Sequence, residues 1–150
     1  MAELADHKAY LDDEMAAAQA APLSRRRALL VAMLIDTYVD RLFAAEARGD
    51  DILEYRACVA RDFPPLGQVM ALCGQADGTR LVTEAVAVPL ADYGRLSVDD
   101  FMVSLYNDHS VQRLLLVTPG GGRQDMLETL AAARAALDHI TAESFNPAKA

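Results

Sequence analysis

The sequence predicts an α+β protein in which a helical N-terminal half precedes a β-α-β-α unit with a small sheet. Apolar residues recur at helical spacings of three and four as far as the Pro64-Pro65 pair. Beyond Gly78 the chain changes to short runs rich in Val, Thr and Leu, bounded by Gly and Pro. The 150 residues, 53% hydrophobic and 24% charged, predict a single domain over 1–150, helical over 1–65 and β-α-β-α over 78–140.

The N-terminal half contains the clearest helical pattern. Helix-forming residues over 2–21 predict a first helix, ended by Pro22, whose sparse apolar face indicates loose docking. Ser24 is expected to cap a long second helix that ends near Arg48 and Gly49, residues suited to a last turn and a C′ position. Its predicted core face comprises Val31, Leu34, Ile35, Tyr38, Leu42 and Ala45.

Two further segments precede the sheet. Asp50 and Asp51 predict an N-cap for a third helix, which the Pro64-Pro65 pair must end because proline lacks an amide proton. Residues 66–73 fit either a short helix or a strand that pairs with the segment after Gly78, and we favour the helix.

The second half contains two predicted strands and two predicted helices. A Val- and Thr-rich run predicts a strand over 80–88, and Ser97 predicts the cap of a helix that stops at Asn107 in a left-handed conformation. The unbroken apolar run 114–117 predicts that the strand 111–118 is central and covered on both faces. A final helix is expected over 126–140.

The charge balance argues against nucleic-acid binding. Fourteen Lys and Arg residues against 22 Asp and Glu residues leave a net charge of -8, which repels a polyanion. The only basic cluster is Arg25-Arg26-Arg27, and three arginines are a small footprint. Nucleic acid is therefore not an expected partner unless this triplet joins others in space, such as Arg80, Arg95 or Arg113.

The sequence predicts a cytoplasmic protein that does not enter a membrane. The acidic first twenty residues are unlike a signal peptide, and the longest apolar run, 28–35, is far shorter than the roughly 20 residues of a membrane span. Cys58 and Cys73 are expected to stay reduced. No cofactor is predicted, since a domain of this length builds its core without a metal or disulfide.

The glycine-rich segment Gly120-Gly121-Gly122-Arg123 is the one predicted ligand site. It follows the central strand and precedes the last helix, so its free amides and the Arg123 guanidinium are suited to hold a phosphate or carboxylate. If the two strands are parallel, Asp92 and Tyr93 follow the first strand at the same sheet edge. The strand orientation is left open, and a simple turn is the alternative reading of the glycines.

Catalysis and metal binding are not predicted. Asp108 and His109 lie near Ser104 and Ser110, but adjacent residues seldom form a working pair and no nucleophile-elbow motif is present. The three histidines fall in separate elements, and the carboxylate and histidine pairs at helical spacing offer too few ligands for an ion. Those pairs are Glu3 with His7 and Asp36 with Asp40.

The leading hypothesis is a protein that works by associating through its helices, with itself or with a protein partner. Ala-rich stripes over 28–45 and 126–140 predict a two-fold symmetric homodimer with a helical interface. The alternative is a small-molecule-binding protein or enzyme that holds an anion at Gly120 to Arg123.

Overall fold

The computed structural model describes residues 2–46 and 50–140, and it is an α+β fold. The predicted helices and strands follow in the predicted order, but a third, short strand that was not predicted precedes the last helix. The expected end of the second helix at Arg48 and Gly49 lies outside the described residues. The helices are α1 (Ala2–Ala20), α2 (Arg25–Glu46), α3 (Ile52–Asp62), α4 (Pro64–Cys73), α5 (Val98–Tyr106) and α6 (Met126–Leu137). The strands are β1 (Arg80–Ala87), β2 (Ser110–Val117) and β3 (Arg123–Asp125), and 3₁₀ helices form at Ala76–Gly78 and Leu90–Arg95.

Local capping signals set most of the helix starts. The Ser24 hydroxyl accepts the amide of Arg27 at 3.3 Å, and Asp51 accepts the amides of Leu53 and Glu54 at the start of α3. Pro64 occupies the first turn of α4, where a missing amide proton costs nothing. Residues 66–73 are therefore helical, as favoured from the sequence.

The core lies between five of the helices, all but α5, and one face of the sheet. The helix α1 docks closely on α2, which corrects the expectation of loose docking: Leu11 is fully buried, and Nε2 of the buried His7 donates to the carbonyl of Leu34 at 2.7 Å. On α2, Val31, Ile35, Tyr38 and Leu42 are buried as predicted, whereas Leu34 is only half-buried and Ala45 is exposed.

Two surface ion pairs join α1 to α6. Lys8 Nζ lies 2.6 Å from Asp138, and Arg134 Nε lies 2.6 Å from Asp12. The hydrogen bond from Lys8 lowers the pKa of Asp138 below its ordinary value, and burial opposes this only in part. Because these groups are partly exposed, they add little to stability and act mainly to orient α1.

The sheet is antiparallel in the order β1-β2-β3, so β2 is the central strand, as predicted. Leu114 and Leu116 face the helical core, while Leu115 and Val117 are buried on the opposite face. The pairing of β1 with β2 is not the parallel arrangement that the ligand-site prediction needs. The segment between β1 and β2, which contains α5, returns the chain to the end of β1, where the carbonyl of His109 accepts the amide of Val88 at 2.8 Å.

The turn into β2 departs from prediction at Asn107. The left-handed residues are Asp108 and His109, with φ of 52° and 58°, whereas Asn107 has φ of -126°. The Asn107 side chain donates to the carbonyl of Val103 at 3.0 Å and so caps α5. Two consecutive positive φ values then reverse the chain into β2.

One edge of β1 has no strand beside it among the described residues. The bond from Val88 to His109 places the amides of even-numbered residues 82–88 toward β2, so those of odd-numbered residues point outward. Ala85 and Val86 are both exposed, but their amides point in opposite directions.

Because the amides of β1 alternate in direction, proline substitutions at two neighbouring positions should differ in their cost to stability. Ala85→Pro removes an outward amide and should lower the free energy of unfolding by only about 1 kcal/mol, whereas Val86→Pro removes a bond to β2 and should cost about 3 kcal/mol. Urea denaturation followed by circular dichroism measures both. Equal losses at the two positions would show that the register is wrong.

Candidate functional site

The predicted glycine segment forms a hairpin turn between β2 and β3, not a strand-to-helix loop. The amide of Thr118 donates to the carbonyl of Gly122 at 2.8 Å, and that of Gly121 donates to Thr118 at 3.0 Å. Gly120 and Gly121 have φ of 87° and 88°, which explains why glycine is needed there. The N-terminus of α6 instead begins at Asp125, whose carboxylate accepts the amide of Glu128 at 3.0 Å.

Arg123, the expected anion clamp, lies in a bidentate ion pair. Its Nε and Nη2 atoms lie 2.8 and 3.1 Å from the two carboxylate oxygens of Glu84. These hydrogen bonds raise the pKa of Arg123. A phosphate at this position would have to compete with Glu84 for the guanidinium.

Asp92 and Arg123 line one open concavity of about 590 Å³ on the sheet face that carries Val111 and Leu115. Val86, Val111 and Leu115 are among its apolar lining residues. The lining holds four carboxylates but only two guanidinium groups, and both guanidinium groups are paired with carboxylates. This charge balance does not favour an anion, and ligand binding at Gly120–Arg123 stays a prediction whose geometric basis the antiparallel pairing removes.

Tyr93 pairs with a histidine and does not line this concavity. Its hydroxyl lies 2.6 Å from Nδ1 of His109. The two nearby serines are engaged elsewhere, since Ser104 Oγ donates to the carbonyl of Phe101 and Ser110 Oγ to that of Asn107. The arrangement therefore lacks the nucleophile-to-base hydrogen bond of a serine triad.

The carboxylates considered as metal ligands take part in an ion pair between helices. Arg56 of α3 donates to Asp36 and, at 2.7 Å, to Asp40. Burial alone would lower the pKa of Arg56, but the two hydrogen bonds leave it raised. Within residues 2–46 and 50–140, no three or more His, Cys, Asp or Glu side chains converge as a metal site would require.

The Ala-rich stripes proposed as a dimer interface are partly buried within the chain. Ala28, Ala32, Ala133 and Ala136 lie in the protein's own core and are not available to a second chain. The other alanines of the two stripes are exposed: Ala44, Ala45, Ala131, Ala132 and Ala135. The helical dimer interface over these stripes stays a prediction.

The most unusual surface of the described chain is the helix α5. Its sequence is almost entirely apolar after Asp99 and Asp100, yet its only buried residue is Ser104. Val98, Met102 and Tyr106 recur every fourth residue and are 79%, 48% and 81% exposed. We call these three residues with Leu105, which is also exposed, the α5 stripe.

The α5 stripe has an acidic surround. Residues 90–109 contain four aspartates and one arginine. Asp99 and Asp108 are exposed, while Asp100 lies 3.1 Å from Arg113. The stripe thus combines an apolar centre with net negative charge at its margin.

A second exposed cluster, at the start of α2, has the opposite charge. Arg26, Leu30 and Met33 follow one another at spacings of four and three, and all are exposed. Arg25 and Arg27 are exposed too, and within the described residues none of the three arginines lies in an ion pair. We call Arg25, Arg26, Arg27, Leu29, Leu30 and Met33 the α2 basic end.

Sequence reasoning identified the α5 helix but not its exposure. The sequence predicts the helix and its cap but not how much of it is covered, and only the tertiary contacts show that α5 packs on β2 through one narrow side. None of the described helices combines the length and apolar character that crossing a bilayer requires. No family model, curated protein or solved structure matches the chain.

Proposed function

We propose that the protein acts in the cytoplasm by self-association, and that the α5 stripe is the surface through which it associates. The observation that carries this proposal is the helix α5 itself. A helix that is apolar on most of its sides is normally buried, but here a serine is the only buried side chain. Association would remove the exposed side chains from water.

The distribution of exposed apolar side chains supports the same proposal. Large exposed apolar side chains are concentrated in one stretch, at Val86, Leu90, Val98, Phe101, Met102, Val103, Leu105 and Tyr106. Six of these eight residues belong to α5. A concentration of exposed apolar side chains usually marks a binding surface.

Anion binding and catalysis have less support. Arg113 and Arg123, the guanidinium groups of the sheet concavity, are both paired with carboxylates. The His109 imidazole has no serine hydroxyl or cysteine thiol as a hydrogen-bond partner among the described residues. No observation therefore favours a second function over association.

Sedimentation velocity over a wide range of protein concentrations tests the proposal. Wild type should move from the 16.2 kDa monomer to larger species as concentration rises. The double variant Val98→Ser/Tyr106→Ser should raise the dissociation constant at least about tenfold, because both side chains are about four-fifths exposed in the monomer and become buried on association.

Leu53→Ser is the matched control. Leu53 is 73% exposed on α3, so this variant removes a similar apolar side chain outside α5 and should associate like wild type. Wild type that stays monomeric at every concentration, or a control that weakens association as much as the α5 variant, would contradict the proposal.

A further inference from the structure

We propose that the α5 stripe of one chain binds the α2 basic end of a second copy, so that the chains join head to tail. This inference rests on the proposed function and names the complementary surface. The α2 basic end is also amphipathic and exposed, with Met33 58% exposed beside Leu29 and Leu30.

Charge distinguishes this partner from a second α5 stripe. Residues 25–33 contain three arginines and no carboxylate, whereas residues 90–109 carry four aspartates and one arginine. Two α5 stripes that met face to face would bring like charges together, which costs energy at an interface. The α2 basic end would instead bring positive charge to the negatively charged margin of the α5 stripe, and its own apolar side chains to the apolar centre.

The dimensions of the two surfaces also agree. From Arg26 to Met33 the α2 basic end extends about 10 Å along its helix, and from Val98 to Tyr106 the α5 stripe extends about 12 Å, at the ordinary helical rise. Each surface presents apolar side chains next to its charges. The two surfaces are therefore similar in length, both present apolar side chains, and carry opposite charge.

A contact between two different surfaces has a consequence for assembly. The contact uses one surface of each chain and leaves the other free, so a third chain can add to either end. The product is a ring or an open chain of copies, not the two-fold dimer expected from the sequence.

Two complementary variants test the arrangement. The first, Arg25→Glu/Arg26→Glu/Arg27→Glu, removes the basic end but keeps the α5 stripe; the second, Val98→Ser/Tyr106→Ser, does the reverse. Each variant alone should sediment as a monomer at concentrations where wild type forms large species. An equimolar mixture should form a complex of two chains and nothing larger, because each variant supplies the surface that the other lacks.

Charge reversal across the contact gives a second test. Arg26→Asp should weaken association about tenfold or more, and Asp99→Arg in the partner chain should recover most of the loss. Association of wild type should also weaken as salt is added. Circular dichroism melts of every variant verify that each chain is folded.

Several outcomes separate this inference from the proposed function. If the α5 variant is monomeric but the α2 variant assembles like wild type, the α2 contact is wrong and α5-mediated association stands. If the mixture forms no complex, or if Asp99→Arg recovers nothing, the head-to-tail arrangement is overturned. If the arginines mediate binding to RNA or anionic vesicles and their reversal leaves self-association intact, the α2 basic end serves a different partner. A monomeric wild type overturns both proposals.

Discussion

Replacement of Ile35 by alanine is expected to lower the free energy of unfolding by about 2–5 kcal/mol, because it opens a cavity in a close-packed core. Ile35 is fully buried in the middle of α2, which packs against α1, α4 and α6. Few neighbouring groups can move to fill the space without loss of their own contacts. Urea denaturation followed by circular dichroism measures the change.

Alanine substitutions of two leucines of α2 serve as comparisons, because their side chains are less buried than that of Ile35. Leu30→Ala should cost less than about 1 kcal/mol, because the Leu30 side chain is already 40% exposed. Leu34→Ala should give an intermediate loss of about 1–2 kcal/mol, since Leu34 is half-buried and packs at the margin of the core. Equal losses for all three would mean that the buried face of α2 is assigned wrongly.

Replacement of Arg56 by alanine is expected to lower the free energy of unfolding by about 1.5–3 kcal/mol, the range for hydrogen bonds to charged groups. Arg56 joins α3 to α2 through Asp36 and Asp40, and about a quarter of the Arg56 and Asp36 side chains is exposed. Its removal leaves two carboxylates next to each other without a cation. Their mutual repulsion adds to the lost hydrogen bonds.

Arg61→Ala is the control for this effect. Arg61 also lies on α3 and pairs with a carboxylate, but its partner is the adjacent Asp62 and its side chain is 55% exposed. Exposed pairs of this kind contribute little, so the loss should be much smaller than that of Arg56→Ala. If Arg56 and Arg61 gave equal small losses, the link between α2 and α3 would be a surface ion pair without structural importance.

The helices are predicted well because their limits depend on local signals. Ser24, Asp51 and Ser97 each cap a helix with their own side chains, and Pro64 both ends α3 and begins α4. Such signals act over three or four residues and are visible in the sequence. The extent of α5 follows from the same reasoning.

The pairing of the strands depends on longer-range geometry. A connection of about 22 residues is long enough for a parallel crossover, so its length does not decide between parallel and antiparallel pairing. The turn at Asp108 and His109 decides it, because two left-handed residues bring the chain back beside Val88. Neither residue is a glycine, so the composition of this turn predicts no such reversal.

The candidate site was missed for a related reason. Glycines before a helix are typical of anion sites, so the sequence predicts one at Gly120–Gly122, but the three-residue strand β3 intervenes and begins at Arg123. The sequence predicts no binding role for the α5 stripe, because an apolar pattern is equally typical of a core helix and of an uncovered one. Exposure is a property of tertiary packing, and the sequence pattern alone does not contain it.

Hydrogen exchange measured by mass spectrometry at low and high protein concentration tests the central claim, burial of the α5 stripe on self-association, most directly. At low concentration the amides of Val98–Tyr106 should exchange quickly, since α5 makes few contacts beyond β2. At high concentration exchange should slow in α5 and in residues 25–33 of α2, while the core helix Met126–Leu137 stays unchanged. Exchange in α5 that is independent of concentration, while the protein sediments as an oligomer, would contradict the account and place the interface on another surface.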